Sequence, residues 1–272
     1  MFRWLPVLAV AFALTCVSPA NAEERVASEG AVTATFSFEA EDEYGYSDLW
    51  LTISRAGTIL HDAPVNAEGC EEPGCGPGSY DGDSVAVADL DGDGEPEIVL
   101  SLFWGGAHCC TIVQVFSFSG NGYRVAERNL GNPGFRLDDI DGDGTTEVIT
   151  NDDRFAYRYA AYAFSILPVR VLAWDGQRWN DDTATHRGVV RSDLHRTWRL
   201  LKSAQRRGYE TRGAAAAWAA NRYRLGKRRG TLKSLRRMAR AGKLKGTSPR
   251  SATKFVTSLD RFLIRSGYAT HR

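Results

Sequence analysis

The stretch DLDGDGEPEIVL, residues 89–100, sets five acidic residues within its first nine positions and then turns apolar. Fifty residues later DIDGDGTTEVIT, residues 139–150, repeats the pattern in register. Asp89, Asp91, Asp93 and Glu97 occupy positions 1, 3, 5 and 9 of the first copy, and Asp139, Asp141, Asp143 and Glu147 those of the second. Gly94 and Gly144 fall at position 6, where the chain must turn sharply. Glu95 and Thr145 at position 7 can each offer a backbone carbonyl. Alternate residues converge on one point, which gives hard oxygen donors at a spacing suited to Ca²⁺, a cation that takes 6–8 oxygens at about 2.3–2.6 Å. Leu90 and Ile140 at position 2 point the other way, into a core. Two bare carboxylates about 4 Å apart repel by about 1–4 kcal/mol, so four converging on one point disfavour a closed loop unless a cation neutralises them. Mg²⁺ demands a stricter octahedron and keeps its waters. Two Ca²⁺ sites are therefore expected, as staples between strands rather than as catalytic metals.

The loops begin like an EF-hand, D-x-D-x-D-G. An EF-hand also needs a bidentate Glu at position 12, where this chain has Leu100 and Thr150. Its flanks should be amphipathic helices, yet VAVADL and EIVLSLF read as strands. The pattern D-x-D-G-D-G-x-x-E between apolar strands instead resembles the FG-GAP/VCBS repeat family, whose integrin-type members form β-propeller blades with Ca²⁺ in each such loop. The resemblance implies that Asp89, Asp91, Asp93, Glu97, Asp139, Asp141, Asp143 and Glu147 are ligands. Position 9 is Glu rather than the commoner Asp, which loosens or enlarges the site. A closed propeller of this type needs about seven blades, whereas residues 23–186 supply two or three. A short stack of sheets is expected.

Other segments of this half alternate with the strand period. Residues 31–39 read as a strand carrying Val32, Phe36 and Phe38. Hairpins are expected to turn at Ala56-Gly57, Gly120-Asn121-Gly122 and Asp175-Gly176, where Gly accepts positive φ. VFSFSGNGY and VLAWDGQRW align at an offset of 56 residues. The repeating unit reads acidic loop, strand, strand, Gly hairpin, strand, with the hairpin near Gly57 as the tail of a partial unit.

Residues 1–22 have a basic start at Arg3, an apolar run and Ala20-Asn21-Ala22, and read as a secretory signal peptide cut after Ala22. A secreted, periplasmic or cell-surface location follows, where thiols tend to pair. Cys70, Cys75, Cys109 and Cys110 allow three pairings. A bridge between adjacent Cys109 and Cys110 would need a strained eight-membered ring, so bridges from the 70–75 loop to the 109–110 strand are expected. A zinc site using these thiols and His108 is the alternative. The string GGAHCC is similar to one in exported bacterial proteins and implies no chemistry by itself. Trp104 and His108 are candidates for a binding surface beside it. Hydrolase chemistry finds no G-x-S-x-G, and none of His61, His108, His186, His195 and His271 has a motif partner.

The chain's net charge of +1 hides a split. Residues 23–186 hold 30 acidic and 9 basic residues, a net of −21, and residues 187–272 hold 3 acidic and 24 basic, a net of +21. Such asymmetry marks a domain boundary. Beyond it the apolar period becomes helical. Leu194, Trp198 and Leu201 share one face. Ala214–Ala217, Trp218, Tyr223 and Leu225 form an Ala-rich helix stopped by Gly226. Thr231 caps a helix through Leu232, Leu235, Met238 and Ala239 that stops at Gly242. Ser248-Pro249 starts another, with Phe255, Leu259, Phe262 and Leu263, that stops at Gly267.

The expected fold is α+β: an N-terminal antiparallel β domain of two to three propeller-blade-like repeats (23–186), then a small basic helical domain (187–272). The expected function is that of an exported, non-enzymatic, calcium-stabilised binding or structural protein. Its basic module contacts an anionic envelope polymer, a membrane surface or an acidic protein, or docks on its own acidic half. Nucleic acid is a lesser candidate, because the aromatic residues fall at core spacing rather than on a stacking platform, and an oligomer is compatible with the unclosed blades. A hydrolase-type enzyme with its site between the halves is the alternative.

Overall fold

A computed structural model describes residues 22–269 apart from 42–44, 69, 71–73, 79–82, 107–108 and 247–250. The segment before Ala22 expected to be a signal peptide, His108, His271 and Ser248-Pro249 lie outside the described residues. The fold is α+β, with three antiparallel sheets followed by four helices.

Strands β1 (Ala22–Glu29), β2 (Val32–Ala40), β3 (Tyr46–Arg55) and β4 (Thr58–Pro64) pair in chain order as the first sheet. The second contains β5 (Gly76–Pro77), β6 (Val85–Ala88), β7 (Glu97–Gly106), β8 (Cys109–Phe118) and β9 (Tyr123–Gly131). Both β5 and β6 pair with the same edge of β7. In the third, β10 (Arg136–Asp138), β11 (Glu147–Asn151), β12 (Val169–Trp174) and β13 (Trp179–Asp181) again follow chain order. The three expected hairpin turns join β3 to β4, β8 to β9 and β12 to β13.

The second sheet lies in the middle of the stack. Ile98, Leu100, Leu102, Ile112 and Phe116 face Phe36, Leu51 and Ile53 of the first sheet. Val99, Val113 and Val115 face the other way, against Val148, Leu172 and Trp174 of the third. Burial on both faces is why the acidic loop at 89–97 runs into an unbroken apolar stretch rather than an alternating one.

The first sheet is complete, not the remnant of a partial unit. Its strand β1 escapes the periodicity because AEERVASE has no buried face; even Val26 is 58% exposed. Its backbone ladder with β2 holds β1, aided by Ala27 against the core.

The cysteines pair locally, Cys70 with Cys75 and Cys109 with Cys110, and not across from loop to strand as expected. Strand β7 is the reason. Gly76 pairs with Phe103 of β7, whose other edge pairs with Thr111 of β8. Cys75 and Cys110 therefore sit about two strand spacings apart, ~9–10 Å, beyond the reach of a disulfide.

Helices α1 (Arg187–Arg207), α2 (Arg212–Arg224), α3 (Arg228–Arg240) and α4 (Ala252–Arg265) follow. None among the described residues is long and apolar enough to cross a membrane. The glycine stops at 226, 242 and 267 all adopt positive φ just beyond a helix. Two details differ from expectation. Helix α3 starts before Thr231, which is buried inside it and donates its hydroxyl to the Lys227 carbonyl (2.7 Å) instead of capping. In α1 the buried face is Val190, Asp193, Thr197 and Leu201, which leaves Trp198 37% exposed.

The helical core reaches across the charge boundary. Phe155 and Tyr159, from the link between β11 and β12, are buried among α2 and α4 residues such as Ala216, Phe255 and Phe262. Gly213 permits this, since a Cβ there would collide with the Phe164 carbonyl. The seam is also polar. Asp152, fully buried, accepts from the Tyr268 hydroxyl (2.6 Å) and from Arg154 Nε (2.8 Å). Asp193 of α1 accepts from the backbone N–H of Val169 (3.0 Å) and from Asn221 (2.7 Å).

Candidate metal centre

Each acidic loop joins two antiparallel strands, β6 to β7 and β10 to β11, that close on each other at Ala88↔Glu97 and Asp138↔Glu147. In the first loop, Asp89 accepts from the N–H of Gly92 (2.7 Å) and Gly94 (2.9 Å), and Asp93 accepts from Glu95 N–H (2.8 Å). Gly92 and Gly94 both take positive φ, as do Gly142 and Gly144. Those two left-handed residues curl the loop until one carboxylate oxygen each from Asp89, Asp91 and Asp93 lies within 4.8 Å of the others. Asp139, Asp141 and Asp143 converge in the same way.

The position-9 glutamates are buried and fall outside these two convergent groups. Glu97 is 3% exposed and accepts from the Leu90 N–H (3.0 Å). Glu147 is 4% exposed and accepts from Ile140 N–H (3.1 Å). Burial pushes the Glu97 carboxyl up to about 7, and the negative charges of Asp91 and Asp93 add to it, against the opposing pull of the Leu90 bond. Burial and the neighbouring Asp93 also raise Asp91. Among the described residues no lysine or arginine lowers either value. The oxygen-only donor set and this uncompensated negative charge fit a hard divalent cation.

At position 7 the loops part. The Glu95 carboxylate forms an ion pair with Arg55 of β3, outside the Asp triad. Thr145 donates its hydroxyl to Asp143 (2.6 Å) and Glu147 (3.2 Å), and its bonds hold the exposed Asp143 carboxyl below its usual range.

Three contacts around the loops were not evident from motif spacing. The N–H of Thr146 donates to the Asp89 carbonyl (3.1 Å), joining the two loops. The β12–β13 turn approaches the first loop so closely that a Cβ on Gly176 would stand 2.7 Å from Asp91 Oδ2. His186, buried just ahead of α1, places Nε2 3.2 Å from Asp182 and Nδ1 4.0 Å from Asp141 of the second loop.

Trp104 is half-buried and packs on the core between the first two sheets, while its expected companion His108 is outside the described residues. A cleft of about 670 Å³ opens where the third sheet meets α1. Ser192, Asp193 and Arg196 line it, with no histidine or cysteine among its lining residues. Asp193 there is engaged by Val169, Asn221 and Arg196 (2.6 Å).

The chain matches no family model and no solved structure. It is 36% identical over 138 residues to an uncharacterized protein of Sinorhizobium fredii, covering 48% of this chain and 21% of that one. It is 30% identical over 149 residues to a probable thylakoid lumen protein of Synechocystis, covering 53% of this chain and 42% of that one. The matched segments thus span less than half the length of either curated relative.

Proposed function

We propose that this is an exported, non-enzymatic binding protein in which two Ca²⁺ ions brace a stack of blade-like sheets that carries a basic helical module toward an anionic partner. The observation that carries the proposal is the pair of Asp triads, each followed by a buried glutamate at the same strand junction of successive sheets. Asp89, Asp91, Asp93 and Glu97 would hold one ion, with the Glu95 backbone carbonyl. Asp139, Asp141, Asp143 and Glu147 would hold the other, with the Thr145 carbonyl. The FG-GAP/VCBS resemblance is supported by β6–β9 and β10–β13, each a four-stranded antiparallel run in chain order with its acidic loop after the first strand. Export is supported by the leader-like sequence before Ala22, by the two disulfides and by the lumenal name of one relative.

Calcium titration by calorimetry on the chelator-stripped protein tests the reading. Two equivalents are expected, with Asp91→Ala and Asp141→Ala each losing one. No heat, together with a melting curve identical in calcium and in chelator, would overturn it.

A further inference from the structure

We infer that the basic opening at the end of α1 is a binding site for a phosphate-class oxyanion. It is a cavity of about 250 Å³ lined by Lys202, Gln205, Arg206, Thr211, Lys243 and Lys245, together with Gly242. Four of these side chains are cationic and none of the lining residues is acidic. In a half of the molecule with 24 basic residues, a basic lining alone would say little. The construction of the wall says more.

Lys243 and Lys245 belong to an extended strap after α3, and they alternate about Leu244, which is buried in the helical core. Alternation sends both lysines out of the core together. The strap is fastened on the opposite wall of the cavity. Buried Thr211 donates its N–H to the Lys245 carbonyl (3.0 Å) and its hydroxyl to the Lys243 carbonyl (3.1 Å). Gln205 of α1 also donates to the Lys243 carbonyl (3.4 Å). These bonds fix the backbone that carries two cations of the strap, which line the cavity with Lys202 and Arg206, one turn apart on α1. Lys245 Nζ reaches over the end of α1, 3.6 Å from where a Cβ on Gly208 would lie. Like charges gathered round one small opening repel, and a multidentate oxyanion relieves that repulsion while accepting from all four.

A second cleft, of about 550 Å³, shares Lys202 and Arg206 and continues along α1 past Arg199, Trp198 and Leu200. Trp198 and Leu200 are each 37% exposed. The Trp198 ring, with Lys202 Nζ 5.5 Å from its centroid, thus stands beside the oxyanion site, which suits a phosphate carried on a larger organic group. This deepens the anionic-partner reading and is independent of calcium, because its walls come from the helical half alone.

The test uses the full chain in chelator. The first probe is sodium phosphate, compared with sodium chloride at equal ionic strength. The second is sedimentation with phosphatidylglycerol vesicles, compared with phosphatidylcholine vesicles. Free phosphate should raise the melting temperature and saturate, and Lys243→Gln/Lys245→Gln should weaken it at least tenfold. Arg229→Gln, which removes an exposed cation of α3 outside the cavity, should leave it unchanged. Should phosphate be silent while the vesicles bind and the double variant abolishes that binding, the site takes a lipid-borne phosphate. Two results overturn the inference: neither probe binds, or both variants weaken binding equally, which makes the effect one of total charge. Melting of the double variant in chloride separates a lost site from a lost fold, and Arg206→Gln supplies a second route should the strap not tolerate both changes.

Discussion

Glu97 and Asp152 are both carboxylates buried to 3% exposure or less, and their surroundings treat them in opposite ways. Asp152 at the sheet–helix seam receives Arg154 and the Tyr268 hydroxyl, and these outweigh its burial and hold its carboxyl below the ordinary value. Glu97 at the end of the first acidic loop receives one backbone N–H, while burial and the nearby Asp91 and Asp93 drive its carboxyl up to about 7. A buried charge costs heavily unless it is paired. At the seam the chain supplies the pair. At the loop Asp91 and Asp93 add negative charge instead, a load that a proton or, as proposed, a bound cation would relieve. Removing calcium should therefore have the largest effect on the molecule. With free calcium 100 times its dissociation constant, each site adds about 2.7 kcal/mol, which a urea melt in calcium against chelator would read.

Substitution sharpens the contrast. Asp152→Ala strands a buried Tyr268 hydroxyl and leaves Arg154 unpaired, and should cost about 2–3 kcal/mol with or without calcium. Glu97→Gln should weaken calcium binding, yet make the metal-free protein more resistant to urea because it removes an unpaired buried charge. If both variants respond alike to calcium, the distinction between seam and loop is wrong.

The two groups also set opposite slopes against pH. Asp152 has a folded value below the ordinary aspartate value of 3.8, so its stabilisation is present above that pH and is lost as pH falls through the depressed folded value. Glu97 has a folded value above the ordinary glutamate value of 4.5. The folded state then binds the proton more tightly, and metal-free stability falls as pH rises from about 4.5 to about 7. Urea melts in chelator across pH 4–8 should show that decline in the parent chain and lose it in Glu97→Gln.

The acidic loops were legible because their geometry is local: carboxylates two residues apart on one strand junction leave a trace in a dozen positions. The hairpin and helix-stop glycines were legible for the same reason, since positive φ is a demand on a single residue. What was hidden depends on partners distant in sequence. The pairing of Cys75 turns on strand β7, which comes between it and Cys110 and carries no cysteine. Phe155 and Tyr159 lie in an acidic segment yet serve the helical core. Thr231 has the chemistry of a cap, but its hydroxyl bonds back to Lys227 inside the helix. Strand β1 is hidden for another reason: it has no fully buried side chain, and its ladder to β2 leaves no mark on the hydrophobic period.

The contact between Gly176 and Asp91 predicts the smallest effect and tests whether the first loop is tuned by the next sheet. Gly176 has φ +81°, a conformation that L side chains rarely adopt, and a Cβ there would meet Asp91 Oδ2 at 2.7 Å. Gly176→Ala should cost about 1 kcal/mol from the backbone alone. Asp91 is the far end of a side chain and can swing aside, but swinging takes its oxygen away from Asp89 and Asp93. Calorimetry should then show one calcium site weakened several-fold and the other unchanged, because no glycine of that turn approaches Asp139, Asp141 or Asp143 among the described contacts. Equal weakening of both sites would mean that the Thr146–Asp89 bond, not the turn, carries the strain from loop to loop.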